Sequence, residues 1–137
     1  MKTLSLFVLI VALSAYSQQT ETDQKTQKAQ SAADQWLKLT DSGDYDQSWQ
    51  KASHMFQSHV TKEEWEKAMQ TNRSPFGQVL SRKVQKATYT EHLPGAPDGD
   101  YVVIQYETSF EHKKTAVETV TPMLDDGEWK VSGYFIR

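Results

Sequence analysis

The sequence predicts an α+β single domain, three N-terminal helices packed on a four-stranded antiparallel sheet. Three observations carry that prediction. Apolar residues recur at helical spacing in the first half of the chain, and in the second half they alternate with a period of two. Clusters of Gly, Pro, Asp, His and Lys divide the second half into four β-rich runs. With 137 residues, 37% of them hydrophobic, the chain can bury one compact core but not two.

The elements follow in order. Lys2, an apolar run from Leu4 to Leu13, and small residues at Ala15 and Ser17 form an export signal over residues 1–17, cut between Ser17 and Gln18. The run falls short of the roughly 20 residues that a spanning helix needs, which disfavours the competing reading of a retained membrane anchor. Removing 17 of the 137 residues leaves 120 and moves the formal charge from −3 to −4, since only Lys2 leaves. The mature protein is then expected in the periplasm or outside the cell, with no stable membrane insertion.

Residues 18–24, rich in Gln and Thr, read as a flexible leader, and residues 25–137 as the domain. Ala29, Ala32, Ala33, Trp36, Leu37 and Leu39 predict a first helix near 25–40. Gly43 suits its C-terminus and Asp44 the next N-cap. The second helix carries Tyr45, Ser48, Trp49 and Ala52, with Met55 and Phe56 at its end. Thr61-Lys62-Glu63-Glu64 is a capping box. It opens a third helix with Trp65, Ala68, Met69 and Asn72 on its buried stripe. Strands are expected near 78–91, 100–111, 115–124 and 128–136.

Composition excludes several classes. A mildly acidic chain with no basic stripe is not expected to bind nucleic acid. The absence of Cys removes disulfides, thiolate metal sites, a cysteine nucleophile and the acylated Cys of a lipid-anchored protein. His54 and His59 miss the spacing of two ligands on one helical face, and Asp98–Asp100 and Asp125–Gly127 read as turns. No metal or cofactor is therefore expected. No serine-hydrolase elbow occurs either.

Strand alternation singles out two charges. Val102, Ile104, Tyr106, Thr108 and Phe110 share one face of the second strand, while Tyr101, Val103, Gln105, Glu107 and Ser109 share the other. Glu118 falls in the row of Ala116, Val120 and Leu124, and Arg82 in that of Leu80 and Val84. Charges in apolar rows are costly unless paired. Arg82 and Glu118 are thus either the polar floor of a pocket or a structural ion pair. Arg82, Tyr106, Glu118 and Trp49 are the ligand-binding candidates. The aromatics Trp36, Tyr45, Trp49, Trp65, Tyr106, Trp129 and Phe135 are core residues first, and a cavity lining only if helices and sheet leave a gap. Arg73, ending the third helix, is expected to meet that helix's last carbonyls rather than an anion.

The segments Ala33-Asp34-Gln35-Trp36-Leu37, Tyr45-Asp46-Gln47-Ser48-Trp49, Leu93 to Tyr101, Glu107-Thr108-Ser109-Phe110, Val117-Glu118-Thr119-Val120 and Gly133 to Arg137 resemble those of a family of small exported bacterial proteins, DUF4019. The resemblance runs from about Ala32 to Arg137. It implies a periplasmic or secreted domain with a curved sheet, a cone of the NTF2-like or cystatin-like kind, and supplies no activity or catalytic residue. The expected function is a non-catalytic module binding a small molecule in a helix–sheet pocket, or an envelope protein. The outer face with Tyr101, Val103, Gln105 and Glu107 is a second binding surface, suited to a homodimer. The alternative is a small cofactor-independent isomerase or dehydratase with Glu118 as general base and Arg82 or Tyr106 stabilising the anion. An inhibitor-like wedge from Leu93 to Gly99 is a third.

Overall fold

The computed structural model describes residues 4–137, with side chains from Val11 onward; Lys2, the charged start of the expected signal, lies outside them. Helix α1 spans Leu4–Asp41, α2 Tyr45–Lys51, α3 His54–His59 and α4 Lys62–Asn72, followed by a 3₁₀ turn at Ser74–Phe76. Strands β1 (Val79–Thr90), β2 (Tyr101–Phe110), β3 (Lys113–Asp125) and β4 (Glu128–Ile136) form one antiparallel meander in the order β1-β2-β3-β4. The α+β architecture and the four strands match expectation. The helices differ in two respects.

First, α1 runs without a break through residues 18–24, the stretch expected as a leader, so the first helix starts well upstream of residue 25. Its residues 11–20 are all exposed, while Ala29, Ala33, Trp36, Leu37 and Thr40 are buried against the sheet. Gln and Thr tolerate a helix, and the i, i+4 bonds Gln19–Asp23 and Glu21–Lys25 support this one. Second, the single helix expected from Tyr45 to Phe56 is two. Ser53 caps α3 by accepting from the Phe56 N–H (3.1 Å), and its own N–H donates to the Val131 carbonyl of β4 (2.9 Å). A buried serine that finds a β-strand acceptor and a new cap stops α2.

The capping signals hold, whereas Asn72, expected on the buried stripe of the third helix, is exposed. Asp44 accepts from the Gln47 N–H at 3.1 Å, and both arms of the Thr61–Glu64 box are present. Asp126 and Gly127 both have positive φ (52° and 80°), as a two-residue type I′ hairpin between β3 and β4 requires.

Helices cover one face of the sheet, and that face is the core. Trp36 and Trp65 meet Tyr134 edge-on, and Phe56 stands edge-on to Trp65 at 4.9 Å. Ser48, fully buried, accepts from both indoles: Trp36 donates to its carbonyl (2.8 Å) and Trp65 to its hydroxyl (2.9 Å). Of the outer-face residues, Tyr101 is wholly buried; the 91–100 loop folds over it, and its hydroxyl donates to the Pro97 carbonyl (2.6 Å). The exposed outer surface therefore starts lower on β2 than alternation predicts.

Candidate functional site

Glu118 and Arg82 come together, with the Glu118 side chain fully buried and Arg82 15% exposed. The Arg82 Nε donates to Glu118 Oε1 at 2.7 Å, and Thr108 donates to the same oxygen at 2.6 Å. Tyr134 donates to Oε2. One carboxylate on β3 is thereby bonded to a side chain from each of the other three strands. Arg82 also forks onto Asp41 at the end of α1, with bonds of 2.7 and 2.8 Å. Asp41 in turn lies 3.3 Å from Arg73, the C-cap of α4. Two acids and two arginines balance to zero formal charge, which is what lets them lie this deep.

Register explains the meeting. Arg82 faces Thr108 across β1–β2, and Thr108 faces Ala116 across β2–β3, two residues from Glu118. Leu80 does not share the face of Arg82 as simple alternation predicts. An irregularity between Val79 and Ser81 inserts an extra residue, and Leu80 is left 56% exposed.

Electrostatics follow from burial. Burial by itself lowers the Arg82 pKa, but Asp41 and Glu118 outweigh it and hold it above the ordinary value. Burial, then the charge and hydrogen bond of Glu118, hold the Tyr134 phenol well above its ordinary value. Tyr106, paired with Glu118 across the strands, turns its hydroxyl to Asp34 of α1 (2.7 Å); burial and then that bond raise its pKa. Trp49 stands apart, donating to the Val60 carbonyl at 2.9 Å. The Arg73 backbone N–H caps α4 on the Met69 carbonyl (2.8 Å), but its side chain meets no carbonyl of that helix's last turn. It donates to the Gly77 carbonyl (2.7 Å) and stacks over Phe110 at 4.5 Å.

Thus two of the four candidates form one cluster, Tyr106 borders it and Trp49 does not belong to it. Sequence reasoning missed Asp41, Tyr134, Thr108 and Arg73 as its other members. Asp41 carried a signal: an acid at a helix C-terminus opposes the helix dipole and needs a cation from elsewhere. With both oxygens of Glu118 taken, the cluster can hold strands in register. A carboxylate so bonded has no free face on which to receive a substrate proton. Among the described residues no three His, Asp or Glu side chains gather where a metal would bind.

A cleft of about 330 Å³ meets the cluster at Arg82 and Thr108, and larger ones lie along β4. A cleft of about 410 Å³ runs between α4 and β4, lined by Trp65, Met69, Phe76, Tyr134 and Ile136 among others. One of about 480 Å³ adjoins it, between α3, the loop tip Gly95–Ala96 and Ser132–Phe135. A third along β4, of about 510 Å³, opens between α1, the end of α2 and Glu128–Val131. The Ser53–Val131 bond crosses the β4 edge between the third cleft and the other two.

No curated protein matches the chain. A family model described as a protein of unknown function, DUF4019, matches residues 32–134, and the chain belongs to that family.

Proposed function

We propose that this chain is an exported, non-catalytic binding module, a cone of the NTF2-like or cystatin-like kind, that docks an extended segment of an envelope protein on the edge of β4. The observation that carries the reading is that edge. Arg137 and Val117 exchange both backbone bonds, so alternation turns the backbone groups of Tyr134 and Ile136 away from β3. Among the described residues no further strand pairs there. From Ser132 to Ile136 the edge carries no charge, Phe135 is 56% exposed, and two clefts flank it. An uncharged open edge beside aromatic clefts is the arrangement used to add a strand from a partner.

Export rests on the N-terminal pattern. Residues 11–17, which a cut before Gln18 would remove, are all exposed, and Ala29, Ala33, Trp36, Leu37 and Thr40, the buried ones among that helix's described residues, would stay in place. No described helix is long and apolar enough to cross a membrane. The enzyme alternative loses support, because its base, Glu118, is fully buried and bonded on both oxygens.

A photocrosslinking residue at Phe135, in cells of the native host, tests the docking. A discrete protein adduct there, absent when the same residue replaces Lys83 on the opposite edge, is the expected result. Equal labelling at both positions, or none at either, would sink the reading.

A further inference from the structure

The third cleft differs in kind from the two beside the β4 edge. Its floor is apolar and aromatic, from Leu39, Val131 and the rings of Trp36 and Trp129, and its rim is polar. Three of the four indole N–H groups are spent inside the protein: Trp36 on Ser48, Trp49 on the Val60 carbonyl, Trp65 on the Ser48 hydroxyl. Trp129 is the exception. Half-buried in the cleft wall, its N–H has no acceptor among the described residues. Around it Gln35, Lys51, Glu128 and Lys130 line the same space, and none of these side chains makes a hydrogen bond or ion pair within the described chain. A buried-type aromatic with an unspent donor, ringed by unspent amide, ammonium and carboxylate groups, is a set of convergent polar groups over an apolar floor.

We infer that this cleft binds a saccharide, and a carboxylated one in preference to a neutral one. A sugar ring has an apolar face of C–H groups, which a tryptophan face covers, and an equatorial belt of hydroxyls that both donate and accept. The rim supplies both functions: Gln35 donates and accepts, Glu128 accepts, and Lys51, Lys130 and the Trp129 N–H donate. Two lysines against one glutamate leave one positive charge, which favours a ligand bearing a carboxylate. A volume of about 510 Å³ falls within the ordinary range of small-ligand clefts. The site stands apart from the proposed docking edge, so either can fail without the other.

Titration of residues 18–137 with trigalacturonate and with neutral chitotriose, followed by tryptophan fluorescence and calorimetry, tests this. Saturable binding of trigalacturonate is expected, weakened roughly tenfold or more by Trp129→Ala and less by Trp129→Phe, which keeps a ring but loses the donor. Lys51→Gln with Lys130→Gln should weaken the acidic sugar more than the neutral one and so remove the preference between them. Thermal melts of the variants separate lost binding from lost folding. No saturation by trigalacturonate, or binding untouched by Trp129→Ala in a folded variant, would overturn the inference. So would chitotriose binding as tightly as trigalacturonate.

Discussion

Two ionic clusters tie α1 to the sheet, and they share chemistry but not surroundings. At the helix C-terminus, Asp41 joins Arg82 and Glu118 in the core, where the Glu118 side chain is fully buried. Some four turns earlier, Lys25 bonds Asp100 (3.2 Å) and lies over the Tyr89 ring at 5.2 Å, while Tyr89 donates to the same carboxylate. There the side chains remain about 30% exposed. Both clusters raise the pKa of their cation: Asp41 and Glu118 overcome burial at Arg82, and the Asp100 hydrogen bond leads at Lys25. The contrast lies in what water does when a partner is lost. An orphan at Lys25 is solvated, whereas Arg82, 15% exposed, is left with much of its side chain out of water.

The largest effect should therefore come from Glu118→Ala. It leaves Arg82 with Asp41 alone and takes the acceptor from both Thr108 and Tyr134, so a loss of about 3–5 kcal/mol is expected in urea unfolding. Glu118→Gln keeps an acceptor for the hydroxyls but not the charge, and should lose less. If Glu118→Ala cost under about 1 kcal/mol, water would have to reach the cluster, and the pocket reading of Arg82 and Glu118 would return.

The next effect is one of pH. Tyr134 and Tyr106 have folded pKa values raised above that of a free phenol, with burial the main cause. A group raised on folding contributes stability that is complete below its unfolded pKa, about 10 for a phenol, and lost as pH rises through the folded value. Stability should hold up to about pH 10 and fall beyond it. Tyr134→Phe should make that fall shallower, at the expense of about 1.5–3 kcal/mol at neutral pH for the bond to a carboxylate. Identical alkaline limbs in the two proteins would mean that Tyr134 is not sealed from water.

Much of this architecture was legible in the residues. The strand bounds lie within about two residues of expectation, since Val, Ile, Tyr and Thr alternate on β2 and β3 and turn residues separate the runs. The pairing of Arg82 with Glu118 was one of two readings of charges in apolar rows. What stayed hidden depends on tertiary partners. The break at Ser53 needs the Val131 carbonyl, and the exposure of Leu80 needs a bulge that no local residue announces. Tyr101 is buried by a loop that folds back over its own strand. Asp41 reads as a turn residue until two arginines from distant segments reach it.

The smallest effect sharpens the contrast most. Lys25→Met removes the cation of the outer cluster and keeps most of its stem, so packing on Tyr89 survives while the charge goes. Because Asp100 and Lys25 are both wetted, the expected loss is only about 0.2–1 kcal/mol in dilute buffer. In about 1 M salt, where the Debye length is roughly 3 Å, that loss should shrink toward zero. The penalty of Glu118→Ala should be unchanged by the same salt, since ions do not enter the core. Asp100 adds a second handle, with Tyr89 first and Lys25 after it holding its pKa below the ordinary value. Its contribution is present above the unfolded carboxylate pKa, about 3.9, and is lost as pH falls through the folded value. Lys25→Met should flatten that acid limb only slightly, because the leading bond, from Tyr89, remains. A Lys25→Met penalty that persisted in high salt would show that the outer cluster is as dry as the inner one, and the distinction between them would fail.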